Sequence, residues 1–151
     1  MNSIELEATD HEVRRVVYDT AMSTGTLPRL EQIMTALNLS IEETRGAVQR
    51  LAAGHILVLQ NDTDEILMAN PFSAVPTPFL VETNQFNSFG NCIWDALGIA
   101  AMLKVDARIR TSCPDCGSAM LINLMDGAVF GNGIIHFAVP ARLWWQNIVF
   151  T

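Results

Sequence analysis

The chain has 151 residues, half of them hydrophobic and 17% charged, with a net charge of −7. That is enough apolar material for one ordinary domain or two small ones, and too little charge for a disordered chain. No apolar run reaches the ~20 residues that cross a bilayer, and nine Lys plus Arg disfavour a nucleic-acid partner, which needs a basic face.

The N-terminus, MNSIELEATDHEVRR, is acidic and lacks the apolar stretch of a secretory signal, so the expected location is cytoplasmic. Residues 9–22 predict an amphipathic helix with Val13, Val16 and Val17 on one stripe and Tyr18 and Met22 extending it. Thr9 with Glu12 reads as its capping box. TGTLPR breaks the pattern, and residues 28–37 restart it with Pro28 at the helix start. Ser40 with Glu43 is a better capping box, opening a third helix that Gly54 stops. HILVLQ and EILMAN then read as short strands around the turn composition NDTD.

Three helices and a hairpin are the order of a winged-helix module, which sets residues 1–70 apart as a winged-helix-like helical unit. Reading DNA would require a basic third helix, and Arg45 and Arg50 stand there against Glu42 and Glu43. A structural or dimerisation role is therefore the stronger expectation. Residues 71–79, PFSAVPTPF, carry three of the six prolines and read as a linker or an extended crossing segment, with a domain boundary placed there.

Residues 80–151 read as a small mixed α/β domain, which makes the fold class α+β. A helix from Cys92 to Leu103 follows Gly90 and Asn91. DARIRTS and AMLINL are expected strands joined by the CPDCGS turn around Pro114 and Gly117. GIIHFAV is a further expected strand ended by Pro140, ARLWWQN a short helix or loop, and IVFT a last strand.

Cys92 and Asp95 in GNCIWDALG lie three apart and so share a helix face. A thiol at a helix N-terminus feels the positive end of the dipole, which favours thiolate. Free N–H groups at Gly90 and Asn91 would add to that effect. A thiolate binds soft metals, and a neighbouring carboxyl group can hold or deliver a proton. The spacing equally fits a small buried Cys92 with Asp95 capping or facing water.

Cys113 and Cys116 have the spacing of a zinc knuckle and of a redox dithiol. Zinc needs four ligands, and only Cys92 and His136 are at hand in this domain, with His11 and His55 in the other. The alternative is a tight turn whose cysteines are incidental or weak ligands. Three cysteines without a signal sequence argue for reduced thiols rather than a disulfide framework. His136, between apolar neighbours, reads as a hydrogen-bonded core histidine. Trp94, Trp144 and Trp145 read as core or as walls of an apolar pocket. FGNGI lacks the spacing and the lysine of a phosphate loop, and Ser/His/Asp catalysis has no local support.

The stretch GNCIWDALGIAAMLKVDARIRTSC resembles the core of the alkylmercury lyases, or organomercurial lyases. Their Cys-x-x-Asp at a helix start, Ala- and Leu-rich helix, ARI-like strand and following cysteine are all present. IIHFAVPARLWWQNIVF is similar to the family's next strand, its proline and the approach to its last active-site strand. A winged-helix-like module also precedes the family's core, so the resemblance covers nearly the whole chain.

The resemblance implies carbon–mercury cleavage, with Cys92 as the mercury-binding nucleophile and Asp95 as the proton donor to carbon. It implies no resident cofactor. The partners it implies are an organomercurial substrate, external thiols that remove Hg(II), and a mercuric reductase downstream. Cys113 matches a cysteine outside the family's essential trio, which implies a structural role, and Cys113 and Cys116 stand as candidate weak or structural metal ligands.

The family's second essential thiol falls immediately beyond Thr151, where neither Cys113 nor Cys116 aligns. The expectation is a chain cut short there, for example where a selenocysteine codon is read as stop. A mercury-binding relative without turnover, or substitution by the CPDCG thiols, are the alternatives. A winged-helix thiol metal sensor and a zinc-ribbon-like interaction protein are the readings from other classes.

Overall fold

The computed structural model describes residues 6–149. Helix α1 runs Ala8–Thr24, α2 Leu30–Leu37 and α3 Ile41–Ala53. The start of α1 corrects the expected Thr9–Glu12 box. Glu7 is the N-cap, and the Asp10 carboxylate takes the Glu7 N–H at 2.9 Å. Asp10 wins because it is anchored from behind: its buried carboxylate receives Arg50 Nε at 2.9 Å and Nη2 at 2.8 Å. Helix α2 starts two residues after Pro28, where the Gln32 side chain caps the Arg29 N–H at 2.8 Å. The Ser40–Glu43 box at α3 forms as expected, at 3.2 and 2.8 Å, and Gly54 ends the helix.

Val13, Val17, Ile33, Val48 and Leu51 bury the facing stripes of the three helices. Their core extends to Leu57 and Ile66 of the following hairpin. Strands β1 (Val58–Leu59), β2 (Ile66–Ala69) and β3 (Phe72–Ser73) form an antiparallel sheet in that order. The proline-rich stretch thus contains a strand, and its Phe72 is fully buried in the second core.

That second core lies between helix α4 (Ile93–Leu103) and a five-stranded sheet. The sheet comprises β4 (Leu80–Glu82), β5 (Asn87–Phe89), β6 (Ala107–Ser112), β7 (Ala119–Met125) and β8 (Ala128–Phe130). All neighbours pair antiparallel, in the order β5-β4-β6-β7-β8. Ala96, Ile99 and Ala100 of α4 pack with Val81, Ile109 and Phe72, and Ala21 brings the end of α1 to the same core. The fold is α+β: three helices, then antiparallel sheets with one further helix.

Among the described residues two expected strands are not formed. GIIHFAV is irregular and exposed, with Ile134 94% accessible. The reason lies upstream, in Asp126–Gly127. Both residues have positive φ (50° and 75°), which closes a two-residue hairpin of the kind Asp-Gly favours. Met125 therefore faces Ala128, and AVF rather than GIIHFAV supplies the edge strand. Gly131 and Gly133 then interrupt any continuation. Ile148 and Val149 stand in a turn rather than a strand, and the rest of IVFT lies outside the described residues. The expected short helix is a 3-10 helix, Ala141–Gln146. Among the described residues no helix is long and apolar enough to cross a membrane.

Candidate active site

The approach to α4 is held from several directions. Gly90 donates its N–H to Phe79 O at 3.0 Å, and its carbonyl accepts from Thr77 Oγ1 at 2.6 Å. It also bridges to Phe72. The Gly90 N–H is therefore committed to the sheet and not free for a ligand, contrary to the expectation. Cys92 is the N-cap of α4 in extended backbone, and its carbonyl accepts the Ala96 N–H at 2.9 Å. One helical turn on, the Asp95 side chain comes back to the same place.

The structure brings Cys92 and Asp95 together. Both are partly buried, one helical turn apart at the start of the helix, and close enough that each shifts the titration of the other. The expectation of a favoured thiolate is corrected. Burial pushes the Cys92 thiol up, the Asp95 charge adds to this, and the N–H groups of Asp95 and Trp94 at the helix start only partly offset it. Burial also raises the Asp95 carboxyl, against hydrogen bonds from the Asn91 amide and the Cys92 thiol. At neutral pH the proton accordingly rests on sulfur. The carboxylate beside it is more basic than an exposed aspartate, and so better able to accept that proton when a metal displaces it.

Asn91 organises the carboxylate. Its Nδ2 lies 3.1 Å from Asp95 Oδ2 and 3.0 Å from Asn70 Oδ1, with the carbonyls of Pro71 and Phe72 at 3.5 Å. Its Oδ1 is buried without a protein partner. Tyr18 completes the wall by donating to Asn70 O at 3.1 Å; burial raises its phenol, against the nearby Arg14 charge and with a smaller contribution from Asp95. A cleft of about 570 Å³ opens beside Asn70 and Tyr18, lined also by His11, Arg14, Arg15 and Met102. Sequence reasoning missed Asn70 and Tyr18, which reach the site from β2's exit and from α1. Asn91 was read only for its backbone.

The aromatic residues divide. Trp94, 57% exposed, meets Phe137 edge-on at 6.1 Å, and Phe137 meets Trp144 at 5.5 Å. Trp145 instead stacks on His55 at 4.2 Å. His136 is exposed rather than a core histidine, because its segment is not a strand. Cys113 and Cys116 occupy the β6–β7 turn. Among the described residues no three His, Cys, Asp or Glu side chains gather as a metal cluster, so neither Cys92 nor His136 completes a zinc site with them.

A partly buried thiol and a carboxyl group thus share the start of one helix on an α+β scaffold. The alkylmercury lyase (MerB) family model matches residues 72–151, and the chain belongs to that family. The fold is similar to the crystal structure of the mercury-bound form of MerB2, with a TM-score of 0.62 at 17% identity. That match covers 83% of this chain and 60% of the MerB2 chain. A comparison with curated proteins finds no match.

Proposed function

We propose that the Cys92–Asp95 pair cleaves carbon–mercury bonds in organomercurials. The observation that carries this reading is the shared site: a thiol at the N-cap of α4 and, one turn on, a partly buried carboxyl group whose direction Asn91 fixes at 3.1 Å. In the first step the Cys92 sulfur replaces a thiolate ligand on R–Hg–SR′, and its proton passes to Asp95. In the second, the Asp95 carboxylic acid protonates the carbon, the C–Hg bond breaks, and RH leaves. The electron pair of that bond goes to the new C–H bond, so mercury remains Hg(II). A solvent thiol supplies the second sulfur on the ion and then removes it. Sulfur polarises the bond and the acid completes it, and neither step needs a further cofactor.

In this reading the first module is a winged-helix-like scaffold rather than a DNA reader. Arg45 is paired with Asp64 at 3.2 Å, and Arg50 with Asp10 and Glu7 at 2.8 and 3.2 Å. The basic groups on α3 are thus engaged by carboxylates and not offered to phosphates, which disfavours the sensor reading.

The test is incubation of reduced protein with an organomercurial and excess thiol, with hydrocarbon measured in the headspace. Release that is lost in Cys92→Ser and in Asp95→Ala supports the lyase. Stoichiometric mercury capture without hydrocarbon in the wild type overturns it in favour of a binding relative.

A further inference from the structure

We propose that Cys113 and Cys116 form a second, two-coordinate site for a soft metal ion, which accepts Hg(II) leaving Cys92. The turn is preformed. Ser112 pairs with Ala119 across the hairpin, Cys113 N–H donates to Ser118 O at 2.9 Å, and Gly117 N–H donates to Cys113 O at 2.9 Å. Gly117 supplies the left-handed residue this closure needs, at φ +72°. The backbone therefore holds both sulfurs on one small loop before any ion arrives.

The Cys116 sulfur lies 3.1 Å from Ser118 Oγ, inside the same turn that Cys113 opens. Cys116 is exposed and Cys113 partly so, so an ion can enter from solvent.

The donor set selects the ion. Two sulfurs with no third ligand among the described residues leave zinc short of its four. They satisfy a soft ion that is content with two sulfurs in line, as Hg(II) is.

The location fits a handover. Leu80 pairs with Phe89 on one side and Arg110 on the other. Cys92 and Cys113 each follow three residues beyond those partners, so both leave the same end of the sheet. The strands that deliver them are two apart, on the order of 10 Å. Transfer is ligand exchange without redox change. Cys92–S–Hg–SR′ and two thiols give Cys113–S–Hg–S–Cys116, with one proton returning to Cys92 sulfur and one to R′SH. The transfer rests on the carbon–mercury reading; the dithiol site does not.

The experiment titrates reduced Cys92→Ser protein with HgCl2 against excess monothiol and reads retained mercury by native mass spectrometry. One Hg(II) is expected per chain, with retention on the order of a hundredfold weaker when Cys113→Ser or Cys116→Ser is added, because one sulfur loses its tethered partner. No retention in Cys92→Ser, or retention indifferent to Cys116→Ser, overturns the site. Zinc held as tightly as mercury overturns its two-coordinate character. Because Hg(II) is added directly, this result is independent of carbon–mercury cleavage. For the transfer, wild-type protein is given an organomercurial, and mercury is mapped after hydrocarbon release. Mercury on the 113–116 turn is expected, and mercury on Cys92 alone overturns the handover.

Discussion

Gly90→Ala is the substitution through which packing and chemistry are most tightly joined. Gly90 is pinned by Phe79, Thr77 and Phe72, so its backbone has no room to turn aside. A Cβ there would stand 2.5 Å from Ala96 N, 2.8 Å from Ala96 Cα and 3.0 Å from Ala96 Cβ. Two of those are backbone atoms of α4, which no rotamer change relieves. Restoring the 3.4 Å of ordinary contact at Ala96 N moves the start of α4 by about 0.9 Å. Overpacking of this kind costs about 1–3 kcal/mol. At this chain length about 2 kcal/mol lowers Tm by about 4–8 °C. The same displacement shifts Cys92 and Asp95 against whatever is bound between them, and a misplacement of about 1 Å costs roughly a hundredfold in rate. Thermal unfolding followed by circular dichroism, and hydrocarbon release well below Tm, read the two effects. Gly98→Ala is the control: its Cβ meets Pro71 Cβ at an ordinary 3.5 Å, and the gain in helix propensity makes it neutral to stabilising by up to about 1 kcal/mol. If Gly90→Ala keeps both the wild-type Tm and rate, the close fit of α4 against the 90–92 backbone does not position the site.

Thiol labelling with iodoacetamide tests the electrostatics. Hydrogen bonds from Ser118 and Cys113 lower the exposed Cys116 thiol, whereas burial raises Cys92, so Cys116 is modified first at pH 7–8. Peptide mapping that finds Cys92 modified first contradicts this. Asn91→Ala removes a hydrogen bond that lowers the Asp95 carboxyl, so the limb of the pH–rate profile set by Asp95 moves to higher pH; an unmoved limb counts against the contact. Burial pushes the Asp10 carboxyl up, but Arg50 and the Glu7 N–H outweigh it and hold it below the usual range. Its contribution to stability is therefore present above the unfolded carboxylate pKa and lost as pH falls through the lower folded value. Arg50→Met costs about 2–3 kcal/mol in urea unfolding at pH 7, below the ~3–5 kcal/mol of a fully buried pair because Arg50 is 34% exposed while Asp10 is buried, and the cost shrinks as Asp10 is protonated. A cost that does not vary with pH argues against that ion pair as its source.

Local signals accounted for much of the fold. The valine stripe of α1, the Ser40–Glu43 box and the β6–β7 hairpin were legible because each is set by residues within a few positions of one another. The start of α1 was not, because Arg50, forty residues away, decides which acid caps it. The edge strand was misplaced because apolar alternation in GIIHFAV outweighed the Asp126–Gly127 turn that fixes pairing first. At the site, Cys92 and Asp95 were legible as a helix-face pair, and the resemblance gave them meaning. Asn70 and Tyr18 were not, since they reach Asp95 only through tertiary packing. The direction of the Cys92 shift was missed for the same reason: the helix dipole can be read from sequence, but the desolvation that overrides it cannot.

The proton's route is the point on which the proposed chemistry stands. Reduced wild-type protein, an alkylmercury thiolate and excess thiol in D2O should release hydrocarbon bearing one deuterium per cleaved bond, counted by mass spectrometry. Asp95→Asn should still capture mercury at Cys92 while releasing hydrocarbon about 10²–10⁴-fold more slowly, the span that a positioned acid supplies. Undiminished release from Asp95→Asn, or wild-type release from Cys92→Ser, would contradict the assignment of cleavage to this pair.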